Sequence, residues 1–333
     1  MKIAFFEIEE HEKDYLKNQL KDAEASFFAE KLDSKNVNAA KDCQIISVFI
    51  DSQITKEVLD VLPNVKMIAT RSTGFDHIDL QACAKNNVVV CNVPHYGDNS
   101  VAEHAFALIL SLSRKIPQSI QRVKSGNFSF EGLVGFDLKR KTIGIVGLGN
   151  IGQHMARIAR GFEMNVLAYD VREDKKLAKK LGFTYVSFED LLKNSDIITL
   201  HIPYNKSTHH LINSSNIHLI KKGAYVINTS RGGIIETDAL FKALNSGIIL
   251  GAGLDVLEEE NFIKEEENLL SKEFLKKFDL KTVLEDHILM EKENVLITPH
   301  NAFNTKEALE RILETTVLNI KSFVKNKPIN IVK

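Results

Sequence analysis

The sequence predicts an α/β protein built on parallel sheets with helices on both faces. Three observations predict it. Short apolar runs of strand length alternate with polar stretches of helical spacing. That alternation runs twice, over the first hundred residues and again from Arg140. The length, 333 residues, is enough for about two domains at roughly 150 residues each, and each is large enough to bury a core. Interleaving of this kind puts strands side by side in parallel, with the connecting helices covering them.

In the first series, KIAFF from Lys2 reads as a buried strand, ASFFAEKL from Ala25 as a second and Gln44–Ile50 as a third. TKEVLDVLP follows as a helix, with Pro63 as its stop. Val65–Thr70 is a strand, DLQACAKNN a helix ending in the turn formers Asn86 and Asn87, and Val88–Asn92 a strand closed by Pro94. Asp98–Lys115 reads as one long helix capped by Asp98 or Asn99, with Glu103 near its positive end. In the second series KTIGIVG is a strand, GNIGQHMARIARGF a turn and helix, and NVLAYD a strand. DIITLHIP, AYVINTS, GIILGAGLDV and NVLITPH contain the later strands. Residues 261–293 are dense in Glu, Lys, Leu and Phe and read as an insertion of short amphipathic helices. Their apolar residues are too frequent for disorder.

Composition excludes several classes. Lys and Arg number 43 and Asp and Glu 44, a net charge of −1. A nucleic-acid binder carries a basic excess to neutralise phosphates, so no nucleic acid is expected as a partner. A hydrophobic fraction of 44% excludes a disordered chain. Cys43, Cys83 and Cys91 lack the number and spacing for a disulfide framework or a metal site, so no metal is expected. They read as buried thiols in a reducing compartment. MKIAFFEIEE turns acidic too early for a signal peptide, and no apolar run reaches the roughly 18 residues of a membrane span. The expectation is a soluble cytoplasmic protein without a membrane partner.

Gly147-Leu148-Gly149-Asn150-Ile151-Gly152 is a GxGxxG that follows a buried strand and opens a helix. Asp170 ends the next strand, 18 residues beyond the last glycine. In that context the pattern is the dinucleotide-binding fingerprint. Gly147 permits the tight turn, Gly149 lets the backbone approach the pyrophosphate, and Gly152 lets the helix pack on the sheet. The helix N-terminus offers its free N–H groups to the phosphates. Asp170 accepts from the adenosine ribose hydroxyls and repels a 2′-phosphate, which favours NAD; Arg172 nearby leaves some use of NADP open.

Three later motifs end strands where ligands bind in open α/β sheets. They are Asn228–Gly233, Gly251–Glu260 and Thr298–Phe303, and together they offer an Arg, a Glu and a His. Reduction of a 2-keto acid by hydride needs those types. His supplies the proton that the keto oxygen gains. Arg presents a planar fork to the carboxylate. A carboxylate beside the His orients it and stabilises the imidazolium.

Six ordered strings carry a family resemblance: TRSTGFDHIDL, VPHYGDNSVAEHAFALIL, TIGIVGLGNIG, NTSRGGIIETDAL, GAGLDVLEEE and TPHNAF. Over essentially its whole length the chain resembles the D-isomer-specific 2-hydroxyacid dehydrogenases, and most closely their D-lactate dehydrogenase branch. The resemblance implies that Arg231, Glu260 and His300 are catalytic. Glu260, rather than Glu258 or Glu259, matches because it stands five residues after Asp255. Thr73 and Gly74 match the loop whose N–H groups bind the substrate carboxylate, and Tyr96 and Phe303 match substrate-pocket aromatics. His201, Pro203, Thr229 and Asp255 fall in cofactor-lining segments, Asp255 where the family holds the nicotinamide carboxamide. Between Glu260 and His300 lie more residues than in many members, and Asn261 stands where many have Pro.

The resemblance also implies the architecture. A Rossmann cofactor domain, residues 99–300, is inserted into a flavodoxin-like substrate domain, residues 1–98 and 301–333. A homodimer is expected, paired through the apolar helix Val101–Lys115. The expected reaction converts pyruvate and NADH to D-lactate and NAD. A bulkier 2-keto acid, such as 2-ketoisocaproate or phenylpyruvate, is the alternative. From another class, one branch of the family consists of NAD-sensing corepressors.

Overall fold

The computed structural model describes residues 1–258, 260 and 279–332. Its chain divides into two compact units, Met1–Tyr96 with Asn304–Lys333, and Gly97–Phe303.

The first unit holds β1 (Lys2–Phe5), β2 (Glu24–Phe27), β3 (Ile45–Val48), β4 (Met67–Thr70) and β5 (Val89–Cys91). They lie in the order β2-β1-β3-β4-β5, every pair parallel. That is a doubly wound order whose direction reverses between β1 and β3. Alternate residues of each strand point to opposite faces. Ala4, Phe6, Ile46, Val48, Ile68 and Val90 meet α2 (Lys56–Val61) and α3 (Leu80–Lys85) on one face. Ile3, Phe5, Ile45, Met67, Ala69 and Cys91 face α1 (Glu10–Gln19) and the C-terminal helix Lys306–Val324 on the other, through Leu16, Leu313, Val317 and Ile320. After that helix the chain reaches the sheet edge, where Val332 donates to Val90 O at 2.9 Å and Asn92 donates to Asn330 O at 3.1 Å.

The second unit holds β6 (Thr142–Val146), β7 (Asn165–Tyr169), β8 (Thr184–Tyr185), β9 (Ile197–Leu200), β10 (Ala224–Asn228), β11 (Ile249–Leu254) and β12 (Val295–Ile297). Their order is β8-β7-β6-β9-β10-β11-β12, again parallel throughout. Counted from β6 this is the dinucleotide-binding order, extended by one strand, with its reversal between β6 and β9. The helices are α4 (Asp98–Ser113), α5 (Ile116–Lys124), α6 (Asn150–Gly161), α7 (Lys175–Leu181), α8 (Phe188–Asn194), α9 (Thr237–Asn245) and α10 (Leu280–Glu291).

Several local expectations change. The residue capping α4 is Gly97, and Asp98 lies inside the first turn, where its charge still meets the positive end of the helix. The helix stops at Ser113 because Lys115 takes a left-handed backbone, φ 51°. A separate helix, α5, follows with Pro117 in its first turn. Most of the apolar surface of α4 is taken up inside its own unit, with Leu110 left half-buried. Ala105, Phe106, Leu108, Ile109 and Leu112 are buried within the unit, in a cluster with Met155, Ala156 and Ile227. Packing there is close: a Cβ added to Gly253 would stand 2.9 Å from Leu108 Cβ. Of the insertion read over residues 261–293, residues 261–278 lie outside the described residues. From Asp279 on it is one helix, α10, whose first turn is capped by the Asp279 carboxylate accepting from Lys281 N–H at 3.1 Å.

All three cysteines are buried and unpaired. Desolvation pushes the Cys83 and Cys91 thiols up to about 11, and it raises Cys43 as well. At pH 8 the reactive thiolate of Cys83 and Cys91 is therefore about one part in a thousand even before access is considered. Native protein is expected to react slowly with a thiol reagent at pH 8, speeding up toward pH 11. Three equivalents should react at once in denaturant; rapid native labelling of Cys83 or Cys91 would contradict this packing.

Candidate active site

The glycine turn follows β6. Gly147 has φ 94°, and a Cβ on it would lie 2.5 Å from His201 O, so the turn runs against the end of β9. Gly149 caps α6, and a Cβ there would meet nothing within 4 Å. Its backbone faces open space, as the approach of a phosphate requires. At Gly152 a Cβ would stand 2.0 Å from Gly147 O, so α6 rests directly on the turn. Asn150 and Ile151 begin α6, whose first N–H groups have no partner within the helix. Asp170, just past β7, accepts from Leu148 N–H at 2.7 Å and from Arg172 N–H at 2.9 Å. Its carboxylate is thereby held beside the turn.

Three polar side-chain atoms near the ends of β9, β10 and β12 stand out. His201 Nδ1, Thr229 Oγ1 and Asn301 Oδ1 are buried and have no hydrogen-bond partner among the described residues. Buried polar atoms are rarely left so. The other His201 nitrogen, Nε2, lies 2.8 Å from Thr199 Oγ1. Desolvation pushes the His201 imidazole down to about 3, so the ring is neutral at working pH. Pro203 follows on the same exposed loop. A dinucleotide carries hydroxyl and amide groups that complement these atoms, so the residues fit NAD.

Arg231 follows β10 and starts a short 3₁₀ turn, Gly232–Ile234. Asn228 Nδ2 donates to Arg231 O at 2.9 Å, which fixes the backbone of the turn. After β12 the chain turns sharply, with His300 at φ 52°. His300 Nδ1 lies 3.0 Å and 3.1 Å from the two oxygens of Glu260. Both side chains are 22% exposed. The carboxylate selects the tautomer with the proton on Nδ1 or stabilises the imidazolium, and it turns Nε2 outward. Asp255, 1% exposed, accepts from Thr298 Oγ1 at 2.5 Å, Asn301 N–H at 3.0 Å and Ala302 N–H at 2.8 Å. His104 Nε2, from α4, lies 2.9 Å from Thr298 Oγ1.

Thr73, Gly74 and Tyr96 belong to the first unit. After β4, Thr73 Oγ1 donates to Val93 O at 2.9 Å, Ser72 Oγ donates to Gly74 O at 2.6 Å, and Asn92 Nδ2 donates to Thr73 O at 2.8 Å. The Thr73 and Gly74 N–H groups have no acceptor among the described residues. Tyr96 O accepts from Arg311 Nε at 2.9 Å and Nη2 at 2.6 Å. Phe303, half-buried, closes the second unit. The second unit thus gathers Arg231, Glu260, His300, Asp255, Thr229 and His201 at the carboxyl ends of β9 to β12. Sequence reading missed Thr298 and His104. Nothing local marks His104, since its partner is 194 residues away.

A dinucleotide fold with a carboxylate-paired histidine and an arginine at its strand ends has the equipment of an oxidoreductase. Comparison with known proteins makes the class specific. Residues 106–302 match the family described as D-isomer specific 2-hydroxyacid dehydrogenase, NAD binding domain. A 2-hydroxyacid dehydrogenase homolog of Zymomonas mobilis is 38% identical over 300 residues, covering 88% of this chain and 87% of that protein. The D-lactate dehydrogenase of Escherichia coli is 35% identical over 336 residues, covering 98% of each. The crystal structure of D-lactate dehydrogenase from Aquifex aeolicus, complexed with NAD and lactic acid, superposes with a TM-score of 0.88. It is 40% identical, with 98% of this chain and 96% of that one covered. The chain belongs to the D-isomer-specific 2-hydroxyacid dehydrogenase family. It is an NAD-dependent oxidoreductase whose substrates are small 2-hydroxy and 2-keto acids.

If His201 Nδ1 bonds to the cofactor, His201→Ala should weaken NADH binding about tenfold, the worth of one buried hydrogen bond. Because the ring is neutral, the ratio of mutant to wild-type Kd should stay constant between about pH 5 and 8. Fluorescence titration with NADH at several pH values checks both statements.

Proposed function

We propose that the enzyme reduces pyruvate to D-lactate, and that Arg231, Glu260 and His300 carry the reaction. The observation that carries the proposal is the bidentate contact of Glu260 with His300 Nδ1, which leaves Nε2 as the proton donor. Arg231 binds the substrate carboxylate and polarises the keto oxygen. Bound NADH supplies the hydride to the keto carbon. His300 Nε2 gives its proton to the keto oxygen as negative charge develops there. Glu260 stabilises the imidazolium before the transfer and keeps the ring aligned. In the reverse direction the same nitrogen takes the hydroxyl proton.

For the remaining positions, the Thr73 and Gly74 N–H groups are assigned to the substrate carboxylate. Tyr96 and Phe303 are each assigned to the substrate side chain. The D-lactate dehydrogenases among the relatives support pyruvate over a bulkier acid. Gly147, Gly149, Asn150, Ile151 and Gly152 are assigned to the pyrophosphate, and Asp170 to the adenosine ribose. His201, Pro203, Thr229 and Asp255 are assigned to the nicotinamide half. The unit Gly97–Phe303 is read as the cofactor domain and the other as the substrate domain.

The homodimer is proposed through a different surface from α4. Along α5 and the segment after it, Ile116, Ile120, Val123, Phe128, Phe130 and Val134 are exposed, the two phenylalanines at 80% and 86%. A continuous stretch of this kind fits a second copy of the chain. The three unpaired thiols fit a reducing compartment, and the cytoplasm is proposed. Among the described residues no helix is long and apolar enough to cross a membrane.

A panel of 2-keto acids with NADH and NADPH, with chiral analysis of the product, tests the reaction. Pyruvate and NADH should show the highest kcat/KM and yield D-lactate. A preference for 2-ketoisocaproate or phenylpyruvate would overturn the substrate assignment. His300→Gln should lower kcat by about 10² to 10⁴ while NADH affinity holds. In sedimentation, Phe130→Asp should shift a dimeric wild type toward monomer; a monomeric wild type refutes the dimer.

A further inference from the structure

A second histidine–carboxylate pair has its carboxylate, Glu258, two residues before Glu260. His210 Nε2 is hydrogen-bonded to Glu258 Oε1. The other oxygen of Glu258 accepts from Thr237 Oγ1 at 2.8 Å and from Thr237 N–H at 3.2 Å. The pair is partly shielded, with His210 and Glu258 side chains 30% and 17% exposed. His209 stacks on the His210 ring at 3.8 Å between centroids, and Tyr204 Oη lies 3.0 Å from His209 Nδ1.

The pair closes a ring of contacts around the catalytic turn. His210 N–H donates to Gly233 O at 2.8 Å. Gly232, next to Arg231, presses on the far side. A Cβ there would stand 2.0 Å from the Leu257 carbonyl and 2.3 Å from Glu258 N. So the loop after β9, the turn after β10 and the segment after β11 are tied to one another. These pieces carry His210, Arg231 and Glu260. His210 takes a left-handed backbone, φ 49°. A residue with a Cβ holds that conformation only where its surroundings impose it.

We propose that His210 and Glu258 are a positioning pair for the reaction. Their contacts are with the protein, and they fix the separation of Arg231 and Glu260. Those two side chains come from different strand ends. Without a tie, each loop drifts independently, and an error of about 1 Å in a reacting group costs on the order of a hundredfold in rate. The proposal rests on the roles given above to Arg231 and Glu260.

Full-length wild type, Glu258→Ala and Glu258→Gln decide it. The readings are kcat and KM for pyruvate, the isotope effect with C4-deuterated NADH, the NADH Kd and the Tm. Glu258→Ala is expected to lower kcat about tenfold or more and to raise the isotope effect as hydride transfer becomes slower than other steps. Its NADH Kd should stay within about twofold. Glu258→Gln keeps an acceptor for Thr237 or His210 and should recover most of kcat. A lowered Tm with kcat and isotope effect unchanged would overturn the proposal, leaving the pair merely structural. If Glu258→Ala does not fold, His210→Ala removes the same bond from the more exposed partner and is judged by the same readings. A wild type that binds NADH but reduces no 2-keto acid overturns the dehydrogenase roles, and the positioning role with them.

Discussion

The turn that carries His300 in the second unit depends on one buried carboxylate. Asp255 accepts from Thr298 Oγ1, Asn301 N–H and Ala302 N–H, and its own carbonyl accepts from His300 N–H at 2.9 Å. Those bonds define the turn that presents His300. Taking an ion out of water costs several kcal/mol unless its oxygens are satisfied. Here two backbone N–H groups and the Thr298 hydroxyl satisfy them, so the turn and the buried charge stabilise one another. Removing the carboxylate leaves buried donors unpartnered, at about 1–3 kcal/mol each. The left-handed backbone of His300 is tolerable because these contacts over-determine it.

The first unit solves a similar problem with the opposite charge. Arg71 is 2% exposed and lies two residues before Thr73. It donates to Phe6 O at 2.8 Å, Glu7 O at 2.6 Å and Ser47 Oγ at 3.1 Å. Burial pushes its guanidinium down from the usual arginine range, and the charges of Glu12 and Glu7 oppose that shift. Glu7 in turn accepts from Phe49 N–H and Asp51 N–H, each at 2.8 Å. The ends of β1, β3 and β4 are joined by this network. Both units therefore use a buried charged side chain, satisfied largely by main-chain groups, to hold the loops at their strand ends.

Legibility followed the strength of the local signal. Buried strands such as Ile143–Val146 and Ile45–Val48 are runs of apolar residues, and they were readable. The helix α1 was not read, because Glu10–Gln19 carries little apolar surface beyond Tyr15 and Leu16. The end of α4 lies two residues before the expected Lys115, and α5 directly beyond it gave no separate signal. Glu258 sits in a run of three glutamates, which by itself suggests a solvated patch. Only the return of His210 and Thr237 from other strand ends gives it a partner. The same holds for the apolar helix α4, read as a partner surface but largely covered by α6 and β11 of its own unit.

By itself the sequence determined the alternation of strands and helices, the glycine turn with its acidic residue, and the order of Arg231, Glu260 and His300. These are local patterns, set by side-chain periodicity and by the chemistry of single turns. Tertiary structure alone decided the strand orders, the cover over α4 and the pairings His300–Glu260, His210–Glu258 and His104–Thr298. Each of those joins residues that lie far apart in the chain. No spacing rule encodes them, because they exist only once parallel strands bring their carboxyl ends to one edge.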